Sequence, residues 1–386
     1  MKRATALAVA CLCCVFLGAP AGLAQEGAPQ GVASGPLVST LPPPPLTLSV
    51  APGASGGPWK LRIENTGDVP MRLAADPRLL VLEVTPPAGT VLDPVDPKKR
   101  APVRKTPDAG TVRCILPADA RPVTDEARDL VVPGKRSWST SIDPLFYCFG
   151  ARERRALVAG ASITAHFGWP EPVAKAAATR KKPPPLAPPF AAAPVGAAVG
   201  KVAPAKELES APFALTDAIA AAVPAAPGVE PGSPGRAVLR VSMPESRDAS
   251  RGVEIETTVT VTNDGDQAAI FLWRPETVRF AVSGPLGSST CGTTAVIESP
   301  IRELYSTLGA KARASMALLV TAKCPVDTFD EPGIFRVTAT LDTTQASARP
   351  VGLKSWDGEA TAKVPMLLRV RSPRRPGTNP TRPALD

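Results

Sequence analysis

Two stretches of the chain carry the same run of alternating apolar and polar positions. Residues 59–87, WKLRIENTGDVPMRLAADPRLLVLEVTPP, align without a gap with residues 257–285, TTVTVTNDGDQAAIFLWRPETVRFAVSGP. Leu61, Ile63, Leu80, Leu82 and Val84 of the first answer to Val259, Val261, Val278, Phe280 and Val282 of the second. A period of two marks strands that bury one face. Between the strands each copy has Asn-x-Gly-Asp, namely Asn65, Gly67 and Asp68, then Asn263, Gly265 and Asp266. This motif supplies a turn, because glycine takes positive φ freely and Asn or Asp bonds the nearby backbone.

The correspondence runs on beyond the gapless block. Each copy has a cysteine followed by a short helical segment, Val123–Leu130 after Pro122 and Ile301–Thr307 after Ser299-Pro300, where serine would cap and proline would start the helix. A glycine turn follows at Gly134 or Gly309, then a strand, Arg136–Ile142 or Arg313–Thr321, that ends near a second cysteine. Next come Gly160 and strand Ser162–Phe167, or Gly333 and strand Phe335–Leu341. The closing strands are expected at Leu208–Leu215 and Ala362–Val370, with the first returning to its own sheet in preference to serving as linker.

Composition supports this pattern. The chain has 47 prolines, 30 glycines and only 4% aromatics, which opposes long helices. The tract Pro170–Lys206, rich in proline and alanine, reads as an extended insertion unable to build a core. The expected organisation is a leader 1–24, a disordered segment 25–45, a first domain 46–219 containing the insertion 170–206, a linker 220–235, a second domain 236–372 and a disordered basic tail 373–386.

Lys2 and Arg3 precede an apolar run from Ala4 to Ala19, and Gly22-Leu23-Ala24 offers small residues for cleavage. This is the form of a secretory signal peptide, preferred over an uncleaved anchor or a lipidated cysteine, and it implies a periplasmic or extracellular mature chain starting near Gln25. Cleavage removes three of the seven cysteines and leaves Cys114, Cys148, Cys291 and Cys324. The near-equal spacing of these four at matching places predicts bridges Cys114–Cys148 and Cys291–Cys324. A zinc site is disfavoured, since the spacings are long and no histidine is near. The net charge of +9, or +7 without the leader's Lys2 and Arg3, gathers at Lys98–Arg100, Arg180–Lys182 and Arg371–Arg382 without interleaved aromatics. Solvated loops account for it, with weak attraction to anionic glycans or headgroups as the alternative, and export disfavours nucleic acid.

Alternating strand, Asn-x-Gly-Asp turn and second alternating strand together resemble the opening hairpin of bacterial exported immunoglobulin-like or fibronectin-like domains, over about 30 residues of each copy. The resemblance implies an all-β fold of two immunoglobulin-like β-sandwiches in tandem, each with a short helix and one disulfide, and it speaks to function only by analogy.

Chemistry is sparse. The only histidine, His166, is expected to be an exposed strand residue sharing a face with Thr164. Asp68 and Asp266 fit turns better than calcium sites, Asp125-Glu126 is a poor acid/base pair, and Asp327, Asp330 and Glu331 are the nearest approach to a cation site. No catalytic residue, cofactor or metal ligand is therefore assigned. The expected function is an exported, non-enzymatic interaction or structural protein whose partner is an unknown envelope protein or glycan. A protease-inhibitor-like module is the alternative.

Overall fold

Strands form where the alternation places them, and their partners are set by long-range pairing. The computed structural model describes residues 41–53, 57–92, 110–122, 129–169, 190–217, 219 and 237–372. The leader, the segment 123–128 with Asp125-Glu126, the basic runs at 98–100 and 180–182, and the tail from 373 lie outside the described residues.

In the first half the strands are β1 (Leu46–Ala51), β2 (Trp59–Asn65), β3 (Met71–Ala74), β4 (Leu80–Thr85), β5 (Val112–Cys114), β6 (Asp129–Val132) and β7 (Ser137–Ile142). Helices α1 (Pro144–Tyr147) and α2 (Ala151–Ala156) follow, then β8 (Ser162–Gly168), β9 (Ala192–Pro194), β10 (Glu207–Glu209) and β11 (Phe213–Ala214). They make three sheets, β1-β2-β7, β6-β3-β9 and β10-β8-β4-β5, with β11 also on β8.

The second half has β12 (Leu239–Ser242), β13 (Ser246–Ser250), β14 (Glu256–Asn263), β15 (Ala269–Leu272), β16 (Val278–Gly284), β17 (Gly287–Cys291), β18 (Tyr305–Leu308) and β19 (Arg313–Leu319). Helix α3 (Val320–Lys323), β20 (Gly333–Asp342), β21 (Glu359–Thr361) and β22 (Met366–Arg371) complete it. Its sheets are β12-β14-β19, β15-β18 and β13-β22-β20-β16-β17, with β21 also on β20. The two halves thus share one pairing scheme. They differ in that β9 is added to the first and β13, parallel to β22, to the second.

Alternate residues fill the cores. Trp59, Leu61 and Ile63 of β2 meet Leu80, Leu82 and Val84 of β4 and Ile163, Ala165 and Phe167 of β8 in one cluster. Val259 and Val261 meet Phe280, Val282, Val337 and Leu341 in the other. Packing apolar faces of facing sheets is what makes a sandwich-like arrangement stable. Both closing strands are interrupted. Register passes from Glu209↔His166 to Phe213↔Ile163, and from Thr361↔Thr340 to Met366↔Val337, so each carries extra residues as a bulge. Leu208–Leu215 accordingly does return to the first half's sheet.

Three expectations need correction. The segment Ile301–Thr307 is not a helix: a 3-10 turn, Arg302–Leu304, leads directly into β18, which pairs with β15. Leu130, placed at the end of the matching helical segment, lies in β6 on β3. A helix this short gains little by itself, whereas a strand satisfies the backbone of its neighbour. The short helices instead come one strand later, where α1 and α3 carry the second cysteines. The Asn-x-Gly-Asp motif does not close a hairpin, because β2 pairs with β1 and β7, while β3 pairs with β6 and β9. Finally, residues 190–206 of the Pro/Ala tract are not a free spacer. Strand β9 pairs with β3, and Ala191, Ala192 and Ala198 are buried. Small side chains let this backbone approach closely, and the gain comes from main-chain pairing, with little side-chain pattern to show it.

Candidate functional site

The Asn-x-Gly-Asp residues form a corner at which the strand leaves one sheet for another. Asn65 is fully buried, and its Nδ2 donates to the carbonyls of Val69, Val132 and Pro133 at 2.7, 3.1 and 3.2 Å while its Oδ1 accepts from Gly67 N. Asn263 repeats this with Gln267, Leu308 and Gly309 at 2.8, 3.1 and 3.2 Å and with Gly265 N. Gly67 is required by crowding, since a Cβ there would lie 2.4 Å from Pro45 Cγ. Each corner meets a lysine with positive φ, Lys135 at 59° and Lys311 at 58°. Lys135 Nζ donates to Thr66 O and faces Asp68 at 3.5 Å, and Lys311 Nζ donates to Asp264 O and faces Asp266 at 3.1 Å. The two aspartates are thus lysine partners, and both corners are structural. Sequence reading missed Lys135 and Lys311, although each follows the glycine of its turn within two residues.

Disulfides join Cys114 to Cys148 and Cys291 to Cys324, with Cα atoms 4.6 and 4.2 Å apart. Each ties the outer strand of a sheet, β5 or β17, to the end of a short helix, α1 or α3.

The bridged helix α1 also positions the contact between the halves. Arg369 of β22, with a side chain 6% exposed, donates from Nη2 and Nε to Asp248 at 2.6 and 3.3 Å and from Nη1 to Phe146 O at 3.0 Å. Its guanidinium lies 4.3 Å from the centre of the Phe149 ring. Arg154 of α2 bonds Phe149 O and reaches Glu245 at 2.8 Å. Arg371 bonds Asp119 across the contact and Asp248 at 2.8 Å. The Arg371 hydrogen bond holds Asp119 below its usual carboxylate range. Ile334 and Leu367 of the second half extend into the first half's apolar cluster. Arginine suits such a place because its flat fork binds carboxylates and stacks on rings at once.

Beside this clamp lies an open cleft of about 580 Å³ between the halves. Pro58, Pro77, Pro144 and Phe146 wall it on one side and Pro285, Pro332 and Ile334 on the other, with Asp143, Tyr147 and Arg336 among them. Asp143 caps α1 by accepting from Leu145 N at 2.9 Å. Its residue is still reached by solvent, but desolvation by the surrounding cleft pushes its carboxyl up despite that bond and the Arg336 guanidinium. Burial likewise raises the Tyr147 phenol, whose hydroxyl donates to Pro77 O at 2.8 Å. No sequence signal marked this cleft, since its lining comes from loops and strand ends of both halves.

His166 is less exposed than expected. It is half-buried between Glu207, 3.3 Å from Nδ1, and Glu83, 3.6 Å from Nε2, because β4 and β10 flank β8. Asp330 lies 3.9 Å from Arg251. Among the described residues no group of three metal-binding side chains comes together, and no helix is long and apolar enough to cross a membrane.

No protein-family model and no curated protein matches this chain. Among solved structures, it is similar to red sea bream transglutaminase at 9% identity and a TM-score of 0.17, over 85% of this chain and 31% of that one. It is similar to Escherichia coli alpha-2-macroglobulin activated by porcine elastase at 13% identity and a TM-score of 0.19, over 86% of this chain and 22% of that one. The PapD-like domain 7 of human CEP192 matches at 12% identity and a TM-score of 0.16, over 38% of this chain and 94% of that domain. The chain therefore spans less than a third of the length of the first and second of these proteins. TM-scores of this size carry no argument about what the chain does.

Proposed function

We propose that this chain is an exported, non-enzymatic binding protein made of two immunoglobulin-like β-sandwiches in tandem, which holds an envelope protein or glycan partner in the cleft between them. One observation carries the reading: the arginine clamp docks the halves against each other and leaves a cleft walled by proline, with a few polar groups set in it. Rigid walls lower the ordering cost of binding, and a mostly apolar cleft with a few convergent polar groups is the usual form of a ligand site. Two disulfide staples suit the oxidising compartment that the leader implies.

The test is capture from native envelope extract by the full chain and by Ser141→Trp, which places a large ring at the cleft. The reading predicts a discrete partner retained by wild type and lost with Ser141→Trp at an unchanged melting temperature. Equal capture by both would move the binding surface elsewhere. Sequencing of the exported protein should begin near Gln25, and an intact N-terminus would contradict the export route.

A further inference from the structure

Arg336 is the unmatched group of the cleft. It lies on β20, across the ladders from Ser283 of β16 and Leu367 of β22. Among the described residues its guanidinium makes no hydrogen bond or ion pair, and its Nε is buried without a partner. The other cations lining the cleft are committed. Arg78 binds Asp76 through three contacts of 2.7 to 3.1 Å, and Arg371 binds Asp248 and Asp119. Asp143 is near enough for its carboxyl to feel Arg336, but among the described residues no carboxylate oxygen lies within the 4.0 Å of an ion pair. A guanidinium offers five donors in a fixed fork, and leaving a buried donor unmade is costly. The partner whose shape matches that fork is a carboxylate.

The walls describe the rest of the ligand. Pro58, Pro144, Pro285, Pro332, Ile334 and Phe146 present apolar surface, and prolines lack a backbone donor. Tyr147 has its hydroxyl on Pro77 O. A sugar, with a hydroxyl on most carbons, would meet polar side chains such as Ser141, Asp143 and Ser283 with some of them and lose water against proline with the rest. Apolar side chains gain by losing water to the same walls. The cleft is open, so the backbone of an extended chain keeps its contact with solvent, and the volume lies within the roughly 300 to 1,000 Å³ common for ligand sites.

We propose that the cleft takes an extended peptide segment of apolar residues bearing one carboxylate, which Arg336 holds with its fork. This rests on the cleft being the binding site, and it names the class of ligand.

The test offers the immobilised full chain a pool of amidated octapeptides of Ala, Val, Leu, Pro and Gly with a single Glu, mixed with the same pool carrying Gln in its place. Mass spectrometry then reads the retained fraction. The proposal predicts enrichment of Glu peptides by about tenfold on wild type, partial preference with Arg336→Lys and none with Arg336→Gln. Ser283→Glu, which sets a competing carboxylate opposite Arg336, should abolish the preference too. Equal retention of Glu and Gln peptides, a preference that survives Arg336→Gln at unchanged melting temperature, or no retained peptide would overturn it. So would retention of oligogalacturonate in place of peptides, although that result would leave the cleft a binding site. Capture of a partner from extract with no response to the peptide pool defeats this inference alone, whereas equal extract capture by wild type and Ser141→Trp defeats the cleft reading beneath it.

Discussion

Asn65 and Asn263 each hold three carbonyls together inside the fold, two of them on the far side of the corner. Asn65→Leu would strand those buried acceptors, which cost about 1–3 kcal/mol when left without a partner. Urea unfolding should show a loss in that range, and a change below about 0.5 kcal/mol, the scale of a neutral surface substitution, would contradict the clamp. Both asparagines stood out in the sequence, but as turn residues. A turn and a buried clamp ask for the same Asn-x-Gly, and the difference lies in carbonyls some 67 residues away in the first copy. At Asp143 the prediction concerns pH. Desolvation raises this carboxyl, so the folded chain keeps its proton to higher pH than the unfolded chain does. Its contribution to stability therefore falls as pH rises from the ordinary carboxylate value of about 4 through the raised one. Asp143→Asn keeps an acceptor for Leu145 N and should flatten that part of the stability profile. An unchanged profile would show that the cleft does not desolvate the group.

At the scale of elements, the strands were legible because one face of each is buried and alternation records it. Pairing was less so. Helix α1 and helix α3 could not be read from Pro144–Tyr147 and Val320–Lys323, since four residues carry no helical period. Strand β9 was hidden in an Ala-Ala-Pro run that joins the fold through backbone pairing with β3 and through Ala192, whose buried side chain is too small to make a pattern. The cysteines, by contrast, announced their pairing through spacing alone. Each bridge closes a loop of 34 or 33 residues, worth about 3–4 kcal/mol in the chain-entropy model. Replacing Cys291 and Cys324 together by alanine should lower the unfolding free energy by that order in urea. A loss below about 1 kcal/mol would mean that the ends of β17 and α3 are held by packing instead.

For the whole molecule, the sequence disclosed two copies and concealed how they meet. Arg369 sits in Met366–Arg371, a strand otherwise apolar at its buried positions, and that anomaly was the one trace of the contact. Its partners come from two distant segments, Asp248 from one and Phe149 with the carbonyl of Phe146 from the other, so no local pattern could name them. Truncating one member of a buried pair leaves the other charge uncompensated at about 3–5 kcal/mol. Asp248 keeps Arg371 and is partly exposed, so Arg369→Ala should cost less, about 2–3 kcal/mol. The loss should fall on the contact between the halves and leave each half's own core intact. Differential scanning calorimetry of wild type and Arg369→Ala tests this directly. Wild type should unfold in one cooperative transition, and Arg369→Ala should resolve into two, one for each half. Two independent transitions already present in wild type, or a single transition unmoved by Arg369→Ala, would contradict the docked pair on which the cleft depends.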